Sequence, residues 1–235
     1  MGETIFLAGA TGAIGSRLVL MLVEAGFTVY GTTRKPEREN SLRQAGATPV
    51  IVDVFDSQAL AETLWQTKPR IVIHQLTDLP FGLDPAQMEE GRIRNAHLRE
   101  VGTKNLVDAA VAAGAERMIS QSIAWAYQPG ATPISEETPL QDSATAIRTL
   151  EALTLQTPKI AGTVLRYGLL YGPGTGSDAP AGPITLHVDD AARATLMAAE
   201  TAATGIFNIV DDGGPISNAR AKSVLAWRPS KPNGQ

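Results

Sequence analysis

Short apolar runs alternate with amphipathic helical patterns along most of this chain, separated by polar or glycine-bearing turns. The first run, Ile5 to Ala8, leads through a glycine turn into a helical pattern reaching Ala25. Gly26 ends that helix, and Phe27 to Thr32 reads as a second strand. A polar turn from Arg34 to Arg38 opens a short helix through Ala45, and Pro49 to Val52 is a third strand. Ser57 to Gln66 is a helix with Ser57 as its N-cap, and Arg70 to His74 is a fourth strand. The loop Leu79 to Pro85 precedes a long helix ending near Ala113. Arg117 to Ser120 is a fifth strand, Ala144 to Gln156 a helix, and Ile160 to Tyr167 a sixth strand broken by Gly162. Asp189 to Thr201 is helical again, and Ile206 to Val210 is a last strand. This alternation predicts an α/β fold, a doubly wound parallel sheet with helices on both faces.

The glycine turn is where the pattern first acquires chemistry. Residues 4–15 read TIFLAGATGAIG, a strand, a turn and a helix start in that order. Gly9 permits the tight turn, Gly12 lets backbone approach a pyrophosphate, and Gly15 lets helix and strand pack closely. The unpaired N–H groups and positive dipole end of the helix then face phosphate. Thr11, Ala13 and Ile14 complete the loop and join the glycines as expected cofactor contacts. Glycines also serve ordinary turns, but the flanking strand and helix favour a nicotinamide dinucleotide.

The second strand bears on which dinucleotide. NAD-preferring chains usually end that strand with an Asp or Glu for the ribose 2′-hydroxyl. Here Thr32 and Thr33 are followed by Arg34 and Lys35, with no carboxylate until Glu37. The planar guanidinium fork of Arg34 matches phosphate oxygens, so NADP is expected ahead of NAD; the alternative is a solvated basic turn.

Bulk properties narrow the class. The 235 residues suit one domain, or one domain with a small appendage, 43% hydrophobic content can fill a core, and a net charge of −4 argues against a nucleic-acid partner. No long apolar span suggests a membrane partner, and MGETIFLAGA has no basic leader segment, so a cytoplasmic protein is expected. With no Cys, disulfides and thiolate catalysis are excluded. His74, His97 and His187 are dispersed, without metal-ligand spacing, and no metal site is expected.

Later motifs carry a resemblance. They are Gly9-x-x-Gly12-x-x-Gly15, Asp53-Val54 after the third strand, and Gly102-Thr103-Lys104-Asn105 in the long helix. Ser120-Gln121-Ser122, Leu165-Arg166-Tyr167-Gly168 and Tyr171-Gly172-Pro173-Gly174 follow, then His187-Val188-Asp189-Asp190 and Phe207-Asn208. In this order they resemble the extended short-chain dehydrogenase/reductases, the NAD-dependent epimerase/dehydratase family. The resemblance covers nearly the whole chain. It implies a Rossmann-like sheet with a smaller C-terminal substrate region, here reduced. Residues 1–170 would form the NAD(P)-binding domain, and residues 171–235 the C-terminal elements that partly complete the sheet. It also implies that Asp53 and Val54 lie near the adenine and that His74 to Leu76 line the cofactor. As a bare residue, Asp53 is as readily a turn or capping carboxylate.

The chain departs from the family where the chemistry lies. The usual unit is a Tyr, a Lys four residues later, and a Ser or Thr. A phenol of pKa near 10 needs that ammonium before it can exchange a proton at neutral pH. Aligned on Glu151, the two positions fall on Ser143 and Ile147, and the family's Asn in the long helix is Arg99. Ser122 and Tyr127 remain as candidate catalytic residues, with Tyr167 a weaker replacement acid. Their alternatives are a turn hydroxyl and core packing. Asp189 most simply caps the following helix, and His187 reads as structural. Only Thr175 to Leu186 separate motifs that relatives space more widely, so either the substrate region is reduced or segments of it are absent from the sequence.

These features favour an NADP-dependent oxidoreductase moving hydride between nicotinamide and a small-molecule carbonyl or alcohol, with a non-standard proton relay. A non-catalytic NADP-binding redox sensor or scaffold is the alternative, and a sugar-nucleotide epimerase a weaker third. A homodimer through the long helix and the 144–156 helix is one arrangement; the same apolar faces equally suit a core.

Overall fold

The computed structural model describes residues 2–230. In chain order its elements begin with β1 (Thr4–Ala8), α1 (Ala13–Glu24), β2 (Thr28–Thr33), α2 (Glu39–Gln44) and β3 (Thr48–Ile51). Next come α3 (Ser57–Thr67), β4 (Ile71–His74), α4 (Met88–His97) and α5 (Thr103–Ala113), the last two joined by a π-helical turn, Leu98–Gly102. Then follow β5 (Arg117–Ile123), α6 (Thr145–Gln156), β6 (Ala161–Tyr167), β7 (Leu169–Tyr171) and β8 (Thr185–His187). The chain closes with α7 (Val188–Thr201), β9 (Gly205–Ile209) and α8 (Ala219–Val224).

Seven strands form one parallel sheet in the order β3-β2-β1-β4-β5-β6-β9. The order reverses between β1 and β4, and crevices for ligands open at the carboxyl ends of strands beside such a reversal. Central strands read as continuous apolar runs because helices cover both faces. Ile5 and Leu7 of β1 face α1 and α7, while Phe6 and Ala8 face α3 and α5. Among the described residues no helix is long and apolar enough to cross a membrane.

Several local expectations need correction. Asp56, not Ser57, caps α3, its carboxylate accepting the Ala59 N–H at 3.0 Å. Gly162 does not break β6; a Cβ there would lie 2.0 Å from the Thr154 carbonyl oxygen, so the glycine lets α6 press onto the strand. His187 caps α7 through Nδ1, which accepts the Asp189 N–H at 3.3 Å. Asp189 is turned instead to Arg17 on α1, at 2.5 Å.

Residues after 170 are built into the same core. β9 extends the main sheet beside β6, and the alanine face of α7 packs against Leu18 and Leu22 of α1. Trp227 is fully buried, its Nε1 donating to the Asp190 carbonyl at 3.0 Å. The short interval between the Tyr171 and His187 motifs holds no helix. It carries a Gly172–Ser177 bridge and returns as β8, paired in parallel with β7.

Candidate functional site

The carboxyl edge of the sheet opens into a cavity of about 1130 Å³. Its wall takes in Arg34, Lys35 and Asp53 beyond β2 and β3, the glycine turn, and Ser122, Trp125 and Ile184 on the β5–β6 side. Two loops meet over it glycine to glycine: a Cβ on Gly176 would stand 2.3 Å from the Gly82 Cα.

The glycine turn is shaped by its surroundings. Gly9 has φ of +91°, and a Cβ there would come within 2.8 Å of the Gln75 carbonyl group, so only glycine fits. Its N–H donates to Thr32 Oγ1 at 3.1 Å, tying the turn to β2, and the Gly12 N–H closes it onto the Gly9 carbonyl at 3.1 Å. Gly12 begins α1 with no side-chain cap, which leaves first-turn N–H groups for an anion. A Cβ on Gly12 would meet only the Gly9 carbonyl oxygen, at 3.4 Å, so its open side belongs to the cavity. Gly15 differs: a Cβ there would stand 2.1 Å from that same oxygen. It is the packing glycine. The cradle therefore fits a dinucleotide pyrophosphate.

Of the other residues expected to meet a cofactor, Thr11, Ala13, Val54 and Leu76 also line the cavity. The Ile14 side chain is buried in the α1–α7 core, which leaves only its backbone for a ligand. His74 lies behind the wall, fully buried. Its Nδ1 accepts the Leu76 N–H at 3.2 Å, which puts the ring proton on Nε2, donated to Thr103 Oγ1 at 3.0 Å. Burial, assisted by the Arg99 charge, holds the His74 pKa down at about 4, so the ring is neutral. Its part is to fix the backbone leading to Leu76.

At the β2–β3 end, Arg34 Nη1 stands 3.9 Å from Asp53 Oδ2, with the two side chains 58% and 43% exposed. Such a pair is loose and readily rearranged by a phosphate. Asp53 also acts as the turn carboxylate, its Oδ1 accepting the Phe55 N–H at 3.0 Å.

At the other end the three residues of the β5 motif separate. Ser122 and Gln121 line the cavity, and Gln121 Nε2 donates to the Leu76 carbonyl at 3.0 Å. Ser120 is buried, accepting from Thr154 at 2.8 Å. Ser122 Oγ donates to Glu151 Oε1 at 2.7 Å, and Glu151 pairs with Arg166 through bonds of 2.8 and 2.6 Å. Tyr127 is a correction: it does not face the cavity. Its hydroxyl donates to Asn208 Oδ1 at 2.6 Å, its ring lies under Arg166, and burial raises its pKa against the pull of Arg166. Tyr167 is pushed up to about 12 by burial and bonded to Thr195, and Tyr171 is pushed up to about 12 by burial and the nearby Asp211. None of these three phenols is poised to ionise. Ser143 is exposed and Ile147 packs in the cluster around Tyr127, so no tyrosine–lysine pair is rebuilt there.

Sequence reasoning put Gln75 only within the span His74 to Leu76 along the cofactor, and it missed Arg99 as a cavity residue. Gln75 lies beneath the glycine turn with Nε2 donating to the Tyr167 hydroxyl at 3.1 Å. Arg99, read from sequence only as a missing asparagine, is a half-buried cation in the cavity wall.

Comparison with known proteins places this geometry. A family model described as NAD(P)H-binding matches residues 9–212. The 3-diazoavenalumate denitrifying reductase of a Streptomyces species is 36% identical over 237 residues, covering 88% of this chain and 76% of that protein. Cinnamoyl-CoA reductase 1 of Petunia hybrida is 35% identical over 128 residues, covering 52% of this chain and 35% of its own. Among solved structures, the UDP-glucose 4-epimerase of Thermotoga maritima superposes with a TM-score of 0.77 at 20% identity, over 97% of this chain and 94% of that one. At that identity the likeness concerns the fold. The chain is thus a member of the NAD(P)H-binding, extended short-chain dehydrogenase/reductase family of the epimerase/dehydratase type.

Proposed function

We propose that this protein is an NADP-dependent reductase of small molecules. The observation that carries the reading is one cavity reaching from Arg34, past the uncapped start of α1, to the Ser122 hydroxyl. In it the α1 N-terminus takes the pyrophosphate, Val54 and Asp53 border the adenine, and Arg34 with Lys35 meets the 2′-phosphate. When bound, the reduced nicotinamide supplies hydride, and the protein supplies orientation. Ser122 gives its own proton to Glu151, so it offers the cavity a lone pair that accepts a substrate O–H or N–H.

The missing tyrosine–lysine pair bears on the substrate. Without a poised phenol, the site suits an acceptor reduced with a proton from water, or with none. The Streptomyces relative is named for a denitrifying reduction of a diazo compound. An aryl diazonium carbon that takes hydride while dinitrogen leaves with the C–N bonding pair consumes no proton. Carbonyl reduction with water as the proton source is the other candidate.

A second reading is a non-catalytic NADP sensor or scaffold, favoured by Ser143 and Ile147 at the positions of the relay. The test is a titration with NADPH and NADH followed by nicotinamide fluorescence, in wild type and Arg34→Ala. A preference for NADPH that the variant loses is expected. Oxidation of bound NADPH by any member of a carbonyl and aryl-diazonium panel supports the reductase. NADPH binding with no turnover across the panel turns the reading to the sensor, and no binding of either nucleotide removes both.

A further inference from the structure

Among the described residues two arginines in the cavity wall make no hydrogen bond or ion pair: Arg99, which is half-buried, and Arg92, which is exposed. Arg92 lies on α4 and Arg99 on the π-helical turn that follows, about two helical turns apart, and both line the cavity. Arg94, on the same helix, behaves otherwise and pairs with Asp78 at 3.4 Å and Glu90 at 3.7 Å. The carboxylate that acts on Arg99 is Glu151, whose oxygens are already engaged by Arg166 and Ser122. Burial lowers the Arg99 pKa, with Glu151 opposing, as expected of a cation stripped of water without a full counter-charge. The wall of the same cavity also holds Trp125, Leu169, Leu170 and Ile184, so the space it encloses is apolar and partly aromatic on its β5–β6 side. The uncapped start of α1 already provides for the pyrophosphate.

We infer that Arg99, with Arg92 as a second contact, binds the carboxylate of an aromatic acid substrate whose flat body lies against Trp125. The guanidinium fork matches a carboxylate in two parallel hydrogen bonds, and a neutral analogue leaves Arg99 desolvated and unpaired. This deepens the reductase reading and rests on it.

The test is calorimetric titration of the NADP-loaded protein with benzoate, cinnamate and 3-phenylpropanoate, each against its primary amide. At least one acid is expected to bind tenfold or more tightly than its amide. Arg99→Met should abolish that preference while NADP affinity stays within twofold. Arg99→Lys should keep part of it, and Arg92→Met should weaken it even if Arg99→Met does not fold. The inference is overturned if no acid exceeds its amide, or if the preference survives both methionine variants. It is equally overturned if Arg99→Met weakens NADP binding tenfold, since the arginine then serves the cofactor. Failure of wild-type protein to bind NADP removes the reductase reading instead. The acid–amide comparison run without nucleotide then still decides whether Arg99 is an anion site.

Discussion

The Ser122 hydroxyl and the Glu151 carboxylate share a 2.7 Å hydrogen bond, and Glu151 is the counter-charge of Arg166. The one serine of the β5 motif that faces the cavity is therefore held by an ion pair joining α6 to β6. Removing one partner of a buried pair strands the other charge. Glu151→Ala is expected to cost about 3–5 kcal/mol. Ser122→Ala leaves the pair intact and should cost about 1 kcal/mol, while turnover falls roughly tenfold or more. Urea midpoints and single-turnover rates on the two variants check this. Equal destabilisation by both would mean that the serine, not the ion pair, organises this edge.

Gly12 and Gly15 are separated by the room around them. A Cβ on Gly12 has 3.4 Å to its nearest neighbour and intrudes on the cradle, whereas one on Gly15 has 2.1 Å to a backbone oxygen. Gly12→Ala should therefore melt within a few degrees of wild type and lose NADPH affinity by tenfold or more. Gly15→Ala should lose several kcal/mol of stability, as expected of overpacking against backbone. Paired melting curves and nucleotide titrations distinguish the two. Gly12→Ala binding NADPH like wild type would remove the pyrophosphate from this turn.

His74 makes stability depend on pH. Its folded pKa of about 4 lies below the unfolded value of 6.5, so the unfolded chain binds more protons between those limits. Its contribution is whole above pH 6.5 and drains away as pH falls towards 4. The loss is about 2 kcal/mol at pH 5 and about 3 kcal/mol below pH 4. Urea midpoints at pH 7.5 and 5.0 should therefore differ more for wild type than for His74→Asn. Equal differences in both proteins would show that other groups carry the slope.

The doubly wound sheet was legible in the sequence because the central strands β1 and β4 are near-continuous apolar runs and short strand-like runs alternate with helical patterns on either side of them. The glycine turn was legible because steric demands at Gly9, Gly12 and Gly15 leave a fixed spacing. What escaped was set by distant contacts. β7 and β8 are three residues each, too short for a period, and exist by pairing with one another. The α7 cap was assigned to Asp189 because aspartate is a usual capping residue, but the acceptor is an imidazole and the aspartate answers Arg17. Tyr127 sits near the family's serine pair in sequence, yet it turns to Asn208, 81 positions away. Arg99 gave no signal beyond a mismatch, since its neighbours in the cavity come from other strands and loops.

Arg17 carries a consequence for how the molecule is made. From α1 it reaches Asp189 at 2.5 Å and the Pro173 carbonyl at 2.6 Å, while α7 covers the apolar face of the same helix. A chain emerging from the ribosome N-terminus first holds the glycine turn long before it holds these partners. The nucleotide cradle occupies the first fifteen residues, yet α1 is clamped only after α7 has been synthesised and docked. In time of assembly, the earliest motif of the sequence is among the last to be completed.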